Sequence, residues 1–279
     1  MNTVKVNFSK SAGKIKPMNC VNNGPAGSRV RKTGNFKDYE ALKIPYARLH
    51  DSAFYAGNYG GEYSVDVHRL FPNFDADETN PENYVFEPTD GYLQDIESVG
   101  TKTFYRLGCN IEHDYKRGTY PPKDFKKWAR ICEYIIRHYT QGWGNGFTMD
   151  IEYWEIWNEP DCRNWDGSNP CWQGTEEQFF DLFEITAKHL KSCFPNLKIG
   201  GPAFTSSWAP MAERFLAEMQ KRGVPMDFYS FHWYGNNPLN FKATIEKGAE
   251  QIKKYGYENA ELHLNEWNYV RGWMGDDYN

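Results

Sequence analysis

Short apolar runs alternate along this chain with longer segments of helical period. The short runs are rich in β-branched and aromatic residues, as is typical of strands. Seven strands are predicted, at residues 15–21, 44–49, 103–107, 151–157, 197–200, 228–232 and 262–265. Between them, apolar residues recur every three or four positions, as in amphipathic helices. Six helices are predicted, at residues 36–42, 89–99, 122–139, 175–193, 210–222 and 241–255.

The predicted helices carry recognisable end signals. Thr89 is a candidate N-cap for the second helix, which we expect to end at Gly100. The fourth helix starts with Thr175-Glu-Glu-Gln178, a capping-box pattern in which the first and fourth residues bond each other's backbone. These signals support the boundaries that the apolar spacing predicts.

Strands that alternate with helices indicate βαβ units and a parallel sheet. An open doubly wound sheet usually has a G-x-G-x-x-G turn after its first strand, and the sequence lacks this motif. The predicted fold is therefore an α/β (β/α)8 TIM barrel, with residues 1–279 as a single catalytic domain. An eighth strand is not evident, so we expect the barrel to be incomplete at the C-terminus. Residues 4–8 alternate and are a candidate extra strand.

Charge and hydropathy exclude several partners. The formal net charge is −5 and no basic stripe is present, which argues against nucleic acid and anionic membrane surfaces. No apolar run reaches ~18 residues, so a transmembrane helix is excluded. The N-terminal decapeptide lacks the apolar core of a signal peptide, which favours a cytoplasmic protein. The six cysteines form no C-x-x-C pair and are predicted to be reduced, although Cys162 and Cys171 share a loop and could bridge in an exported protein.

Polar residues at the ends of the predicted strands are the candidates for chemistry, because barrel active sites lie at the C-terminal ends of strands. In the fourth strand, period two places Glu155, Trp157 and Glu159 on one face and Asn158 on the other. Glu159 comes last, before Pro160. Burial among Trp rings disfavours a charged carboxyl, as a general acid requires. Taken alone, Glu159 is also compatible with a surface loop carboxylate.

A second glutamate ends the seventh predicted strand. Leu262, Leu264 and Glu266 share a face there, so Glu266 is the carboxylate nearest the mouth. The fourth and seventh strands face each other across part of a barrel mouth. Two carboxylates flanking one gap are what glycosidic bond cleavage uses. The pair of Glu159 and Glu266 is much more specific than either residue alone.

Two further strand ends carry polar side chains. His232 ends the sixth strand and is followed by Trp233 and Tyr234; we favour membership of the site over a histidine bonded to backbone. Near residue 49, Arg48, His50 and Asp51 could bind sugar hydroxyls or form a buried ion-pair network, and the sequence leaves both open.

These motifs resemble those of clan A glycoside hydrolases. The pattern Trp157-Asn158-Glu159-Pro160, then Ser230-Phe-His-Trp-Tyr234, then Asn265-Glu266-Trp267-Asn268 is most similar to glycoside hydrolase family 39, the β-xylosidase and α-L-iduronidase family. The resemblance extends from residue 19 to residue 268. It implies a retaining mechanism with Glu159 as acid/base and Glu266 as nucleophile.

The same resemblance implies roles for the neighbouring residues. Asn158 would bond the sugar 2-hydroxyl, His232 and Tyr234 would hold the nucleophile and the sugar, and His50 would contact more distant hydroxyls. Trp267 is a candidate sugar-stacking ring, as are the four rings Trp154, Trp157, Trp233 and Trp273, each of which could equally belong to the core.

The chain departs from the family pattern in two ways. Family members usually continue into an eighth strand and a β-sandwich, and the segments 71–77 and 104–108 differ from the xylosidase pattern. A β-xylosidase-like activity on oligosaccharides derived from plant polysaccharides is therefore predicted beside alternatives: an arabinosidase, an iduronidase, an endo-acting enzyme, or a truncated, weakly active sugar-binding fragment that needs a partner. Open sheet edges also leave a homo-oligomer as an option.

No cofactor or metal is predicted. The acidic segments 75–78 and 112–114 match neither an EF-hand loop nor an H-E-x-x-H motif. A barrel aldolase or isomerase would be expected to have a lysine at a strand end or a late phosphate-binding glycine loop. Neither the lysine nor the glycine loop is evident, which argues against these two enzyme classes. The expected partner is the carbohydrate that the Glu159 and Glu266 pair implies.

Overall fold

Seven parallel strands dominate the computed structural model, which describes residues 3–11, 13, 18–50, 65–112 and 115–271. In sheet order they are β1 (Val21–Asn22), β4 (Tyr46–Arg48), β5 (Lys102–Leu107), β6 (Tyr153–Ile156), β7 (Lys198–Phe204), β8 (Phe228–Gly235) and β9 (Glu261–Tyr269). A separate antiparallel hairpin joins β2 (Gly27–Ser28) to β3 (Thr33–Gly34). The large sheet follows chain order, as a (β/α) barrel does.

Helices connect the strands and cover the sheet. They are α1 (Phe36–Leu42), α2 (Val67–Leu70), α3 (Glu87–Ser98), α4 (Phe125–Gln141), α5 (Glu176–Cys193), α6 (Pro210–Lys221) and α7 (Pro238–Lys254), with a 3₁₀ turn at Pro81–Asn83. The Thr175–Gln178 capping box is formed in both directions, as predicted. None of the helices in the described ranges is long and apolar enough to cross a membrane.

The sheet curves round on itself. Arg48, in the second strand of the sheet order, donates to Glu266 in the last. Inside the curve, the ring centroids of Phe104 in β5 and Phe228 in β8 lie 5.3 Å apart, although these two strands are not neighbours in the sheet. The Phe228 ring also stacks on His263, with centroids 4.9 Å apart. These rings fill the N-terminal end of the barrel. The architecture is a partial (β/α)8 barrel, which confirms the predicted fold class.

Several predicted boundaries are wrong. Residues 4–8 form no strand, and Val4, Val6 and Phe8 are largely exposed because nothing in the described structure pairs with them. Of the first predicted strand only the last residue lies in β1, while residues 14–17 lie outside the described ranges. Thr89 is not an N-cap: α3 starts two residues earlier, at Glu87, since Pro88 suits a first helical turn.

Aromatic packing between helices and sheet gives a stability prediction. Phe215 of α6 is fully buried, 4.8 Å from the Phe183 ring and 5.3 Å from the Phe204 ring. Phe215→Ala is expected to lower the free energy of unfolding by about 3–5 kcal/mol in urea titrations. The matched control, Leu42→Ala, removes a side chain that is 63% exposed and should stay within about 0.5 kcal/mol of wild type. Equal effects of the two changes would contradict this packing.

Candidate active site

A buried carboxylate lies inside the barrel, below its mouth. The Glu155 Oε2 atom accepts from Arg48 Nε at 2.7 Å, and its Oε1 atom accepts from Ser230 Oγ at 2.6 Å and Asn265 Nδ2 at 2.7 Å. These partners belong to β4, β8 and β9, none of which neighbours β6 in the sheet. Glu155 therefore points into the barrel and links strands across it. A fully buried carboxylate needs such partners.

Glu159 and Asn158 reach the mouth because β6 loses its alternation at its end. Trp157 and Glu159 have φ values of +78° and +46°, which a regular strand does not adopt. The Trp157 indole donates outward to the Cys171 carbonyl at 3.0 Å, whereas Asn158 turns inward to Arg48. The predicted grouping of Glu159 with Trp157, opposite Asn158, is therefore wrong. Asn158 and Glu159 both belong to the mouth.

Glu266 reaches the same mouth through a β-bulge. The β8–β9 register pairs Phe231 with Leu264 and then His232 with Glu266, so Asn265 is the extra residue. Leu262 lies beside Gly248 of α7, on the helix side of the sheet. Because of the bulge, Glu266 does not share that side. The predicted shared face of Leu262, Leu264 and Glu266 is wrong, although the predicted position of Glu266 at a strand end is correct.

Glu159, His232 and Glu266 form the centre of the site. The Nδ1 atom of His232 lies 2.8 Å from Glu159 Oε1 and 3.7 Å from Glu266 Oε2. A carboxylate oxygen of Glu159 and one of Glu266 are within 4.8 Å of each other. His232 is fully buried, and the two glutamate side chains are each 10% exposed. The two carboxylates thus share one small opening.

Glu266 is surrounded by hydrogen-bond donors. Tyr234 donates its hydroxyl to Oε1 at 2.8 Å, Arg48 Nη1 donates to Oε2 at 3.2 Å, and His50 Nε2 lies 3.1 Å from Oε2. Burial alone would raise the pKa of Glu266, but the charges of His232, His50 and Arg48 outweigh it and hold that pKa well below its usual range. Glu266 is therefore held as a carboxylate. Burial raises the pKa of Tyr234, with Glu266 adding to the effect, so its hydroxyl stays a donor.

Arg48 links these groups. Its Nη2 atom donates to Asn158 Oδ1 at 2.7 Å, in addition to its bonds to Glu155 and Glu266. This bond orients the Asn158 amide and leaves its buried Nδ2 donor without a protein acceptor among the described residues. The sequence left open whether Arg48 and His50 bind sugar hydroxyls or form an ion-pair network. In the structure both residues pair with carboxylates at the barrel mouth. Asp51 lies outside the described ranges.

Two of the candidate stacking rings belong to the core. Trp154 and Trp157 are buried on the helix side of β6, where Trp154 stacks on Tyr105 with ring centroids 4.7 Å apart. Trp267 is 55% exposed, pairs with Trp233 in the strand register and packs edge-on against Phe241 of α7. A stacking role for Trp267 stays a prediction, and Trp273 lies outside the described ranges.

Sequence reasoning missed the residues beneath the mouth. Glu155, Ser230 and Asn265 were not singled out as site residues, yet they hold Arg48 and the β9 strand end in place. One signal was available. Glu155 lies in the middle of a predicted apolar strand, where a carboxylate is rarely found without partners.

Several clusters within the described ranges have metal-ligand chemistry. In each, atoms from three side chains lie within 4.8 Å of one another: Asp66–His68–Cys109, Glu133–His189–Cys193, Glu159–Cys162–Cys171 and Glu159–His232–Glu266. Of the acidic segment 112–114, the Glu112 carboxylate accepts from the backbone N–H groups of residues 117–119, while residues 113 and 114 lie outside the described ranges. The sequence expectation of no metal or cofactor stays a prediction.

The site geometry can be set beside known proteins. The sequence model of "Glycosyl hydrolases family 39" matches residues 4–264. The chain belongs to this family. It is 27% identical to a β-xylosidase of Caldicellulosiruptor saccharolyticus over 95% of this chain and 55% of that protein. It is 32% identical to a β-xylosidase of Geobacillus stearothermophilus over 62% of this chain and 30% of that one.

Solved structures share the fold of this chain. A glucosidase from Croceicoccus marinus has a TM-score of 0.77 at 25% identity, covering 93% of this chain and 52% of that one. A monomeric β-xylosidase from Caulobacter crescentus has a TM-score of 0.66 at 20% identity, and this likeness concerns the fold. The matches to the Caldicellulosiruptor, Croceicoccus and Caulobacter proteins cover most of this family 39 chain. The chain spans only about half the length of each of these relatives.

Proposed function

We propose that this family 39 chain hydrolyses glycosidic bonds with retention of configuration, with Glu266 as nucleophile and Glu159 as acid/base. The observation that carries the proposal is the approach of the two carboxylates, whose oxygens come within 4.8 Å. Retaining glycosidases hold their carboxyl groups ~5–5.5 Å apart, whereas inverting enzymes leave ~6.5–9.5 Å for a water. The short separation supports direct attack by a carboxylate.

The environments of the two acids support different roles. Glu266 has a pKa well below its usual range and three donors around it, so it is an ionised nucleophile in the resting protein. Glu159 follows a strand end and contacts His232, whose ring can accept or donate according to its tautomer. In the first step Glu159 would protonate the leaving oxygen while Glu266 attacks the anomeric carbon. In the second, Glu159 would take a proton from the water that releases the sugar.

Asn158 supplies a further contact for the sugar. Its Nδ2 donor is buried and has no described protein acceptor, while its Oδ1 atom is held by Arg48. A buried donor without a partner is costly. A sugar hydroxyl at the mouth would satisfy it, and the 2-hydroxyl next to the reacting carbon is the group that we assign to it. His50 and Tyr234 complete the sugar-facing side of Glu266.

A β-xyloside is the proposed substrate. The curated relatives at 27% and 32% identity are β-xylosidases. A uronide such as an iduronide would need a cation for its carboxylate, but Arg48 is bound by three acceptors and Arg106 is buried in an ion pair with Asp66 at 2.8 Å. Neither of these two arginines is therefore placed to bind a uronide carboxylate.

Product stereochemistry tests the proposal. We expect the β-xyloside to be turned over fastest in a panel of nitrophenyl xylosides, arabinosides, glucosides and iduronides. We also expect proton NMR to show β-xylose as the first product, before mutarotation. Initial release of α-xylose would contradict retention. Saccharide binding without turnover of any panel member would favour the sugar-binding fragment.

The pH dependence of activity should report the ionised state of Glu266. Its pKa is depressed, so it stays charged above its ordinary value of 4.5 and is protonated only at lower pH. The acid limb of kcat/KM due to this group is therefore expected below pH 4.5. His50 is one of the charges that lower this pKa, so His50→Gln should move the limb to higher pH. The matched control is His263→Gln, because His263 lies at the other end of β9. If the acid limb of kcat/KM did not shift in His50→Gln, the assignment would be contradicted.

A further inference from the structure

Two cysteines lie beside Glu159 and take no part in the proposed hydrolysis. The sulfur atoms of Cys162 and Cys171 and a carboxylate oxygen of Glu159 are all within 4.8 Å of one another. Cys171 is fully buried, Cys162 is partly exposed, and both are free thiols. One carboxylate and two sulfur ligands thus converge at the edge of the active-site mouth.

The backbone holds these three residues in place. The Cys162 N–H donates to the Glu159 carbonyl at 3.0 Å, which fixes the turn that carries both side chains. Asn169 fastens the returning loop, because its Nδ2 donates to the Pro160 carbonyl at 2.7 Å and its Oδ1 accepts from the Cys171 N–H at 2.8 Å. These hydrogen bonds therefore hold the backbone of the three residues close together before any ion binds.

From this juxtaposition we propose that Glu159, Cys162 and Cys171 form a binding site for a thiophilic divalent cation such as Zn²⁺, and that occupancy of this site inhibits the enzyme. The binding part stands on the geometry alone. The inhibition rests on the proposed function, because a carboxylate bound to a metal ion cannot carry a proton to or from the substrate.

The dimensions of the cluster suit zinc. Zinc binds thiolate sulfur at about 2.3 Å and carboxylate oxygen at about 2.0–2.2 Å in tetrahedral sites. Tetrahedral angles then place the ligand atoms roughly 3.5–3.8 Å apart. The ligand atoms of Glu159, Cys162 and Cys171 all lie within 4.8 Å of one another, a range that includes these values. Three protein ligands leave the fourth position for water, and the partly exposed Cys162 offers a path of entry.

The carboxylate favours a metal site over a disulfide. A disulfide would use the two sulfur atoms alone and would require an oxidant. Glu159 completes a mixed sulfur–oxygen ligand set, and an ion bound there also contacts the group on which the proposed catalysis depends. Loss of both thiols by disulfide formation is therefore a separate, recognisable outcome of the test.

Cobalt binding tests the site without relying on activity. Co²⁺ is titrated into the metal-free chain under a phosphine reductant, and we expect a near-ultraviolet thiolate-to-cobalt absorption band at one equivalent. The band should disappear in Cys162→Ser and in Cys171→Ser. It should persist in Cys193→Ser, which removes the thiol of the separate Glu133–His189–Cys193 cluster. Because Cys162 is partly exposed, its variant is expected to fold even if Cys171→Ser does not.

Inhibition tests the functional consequence. Zn²⁺ should reversibly block β-xyloside hydrolysis by the wild type, with recovery after chelation. Cys162→Ser should need about 10–100-fold more Zn²⁺ for half inhibition, at unchanged basal activity. Absence of the cobalt band in the wild type, its persistence in Cys162→Ser, or a protein that loses two titratable thiols instead of binding metal would overturn the proposal. Equal Zn²⁺ inhibition of wild type and Cys162→Ser would place the ion on Glu159, His232 and Glu266 instead and would overturn it too. If no glycoside is hydrolysed at all, the cobalt result still decides the binding site.

Discussion

Replacing Glu266 with alanine is expected to lower kcat for an aryl β-xyloside by on the order of 10⁵–10⁶-fold, as loss of a nucleophile does in covalent catalysis. The reason is the position of this carboxylate, within 4.8 Å of Glu159 and held ionised by His232, His50 and Arg48. Alanine leaves a gap on the face of the sugar that Glu266 would attack. The initial rates of wild type and variant are compared at saturating substrate.

Azide makes the Glu266 prediction specific. Azide can enter the vacated space and attack the anomeric carbon directly, so Glu266→Ala with azide should form the α-xylosyl azide, whose configuration is inverted. The matched control is Glu261→Ala on the same strand, which removes a partly exposed carboxylate that pairs with Lys198 at the other end of β9. It should keep near-wild-type kcat. Substantial residual activity in Glu266→Ala, or an azide product with β configuration, would contradict the nucleophile assignment.

The fold was largely predictable because its signal is local. Each strand from β4 to β9 in the large sheet overlaps a predicted apolar run. Strands such as β5 and β7, which are buried along most of their length, read as nearly continuous apolar segments. The start of α5 follows its capping box at Thr175, whereas Thr89 lies inside α3. The β2–β3 hairpin was not predicted, because two-residue strands leave no periodic pattern to read.

The site was predictable in position but not in orientation. Strand order brought Glu159 and Glu266 to one mouth, as expected from the fourth and seventh strands. Neither side chain obeys the alternation of its strand. Trp157 and Glu159 itself have positive φ values, and Glu266 follows a bulge at Asn265. Such irregularities depend on tertiary contacts and often occur at functional sites. Period two therefore fails where the chemistry lies.

The support of the site could not be read from local sequence at all. Arg48 contacts Glu155, Asn158 and Glu266, which are more than a hundred residues away in the chain. Only closure of the sheet brings these groups together. The fully buried pair of Arg48 and Glu155 is costly to desolvate, and its extra hydrogen bonds from Ser230 and Asn265 compensate for that cost. The network positions Arg48 beside the nucleophile.

Replacing Glu159 with alanine is expected to have an effect that depends on the leaving group. Loss of a general acid costs about 10²–10⁴-fold, so kcat/KM should fall by that factor for xylobiose or a phenyl xyloside, whose leaving oxygen needs a proton. It should fall much less for the dinitrophenyl xyloside, whose leaving group departs as an anion. The second step also loses its base, so the glycosyl-enzyme should accumulate and show a pre-steady-state burst.

Azide again distinguishes the role, this time with the opposite stereochemistry. In Glu159→Ala, Glu266 still forms the covalent intermediate, so azide attacks from the face that Glu159 vacates and yields the β-xylosyl azide with net retention. Asp161→Ala is a nearby control, since that carboxylate accepts from the Thr205 backbone and hydroxyl and makes no hydrogen bond or ion pair with His232 in the described structure. The Asp161→Ala variant should form no xylosyl azide. If Glu159→Ala lost activity equally for all leaving groups and gave no azide adduct, Glu159 would be a residue that holds His232 and the acid would lie elsewhere. The two azide products, α from Glu266→Ala and β from Glu159→Ala, therefore assign both faces of the sugar to the two carboxylates.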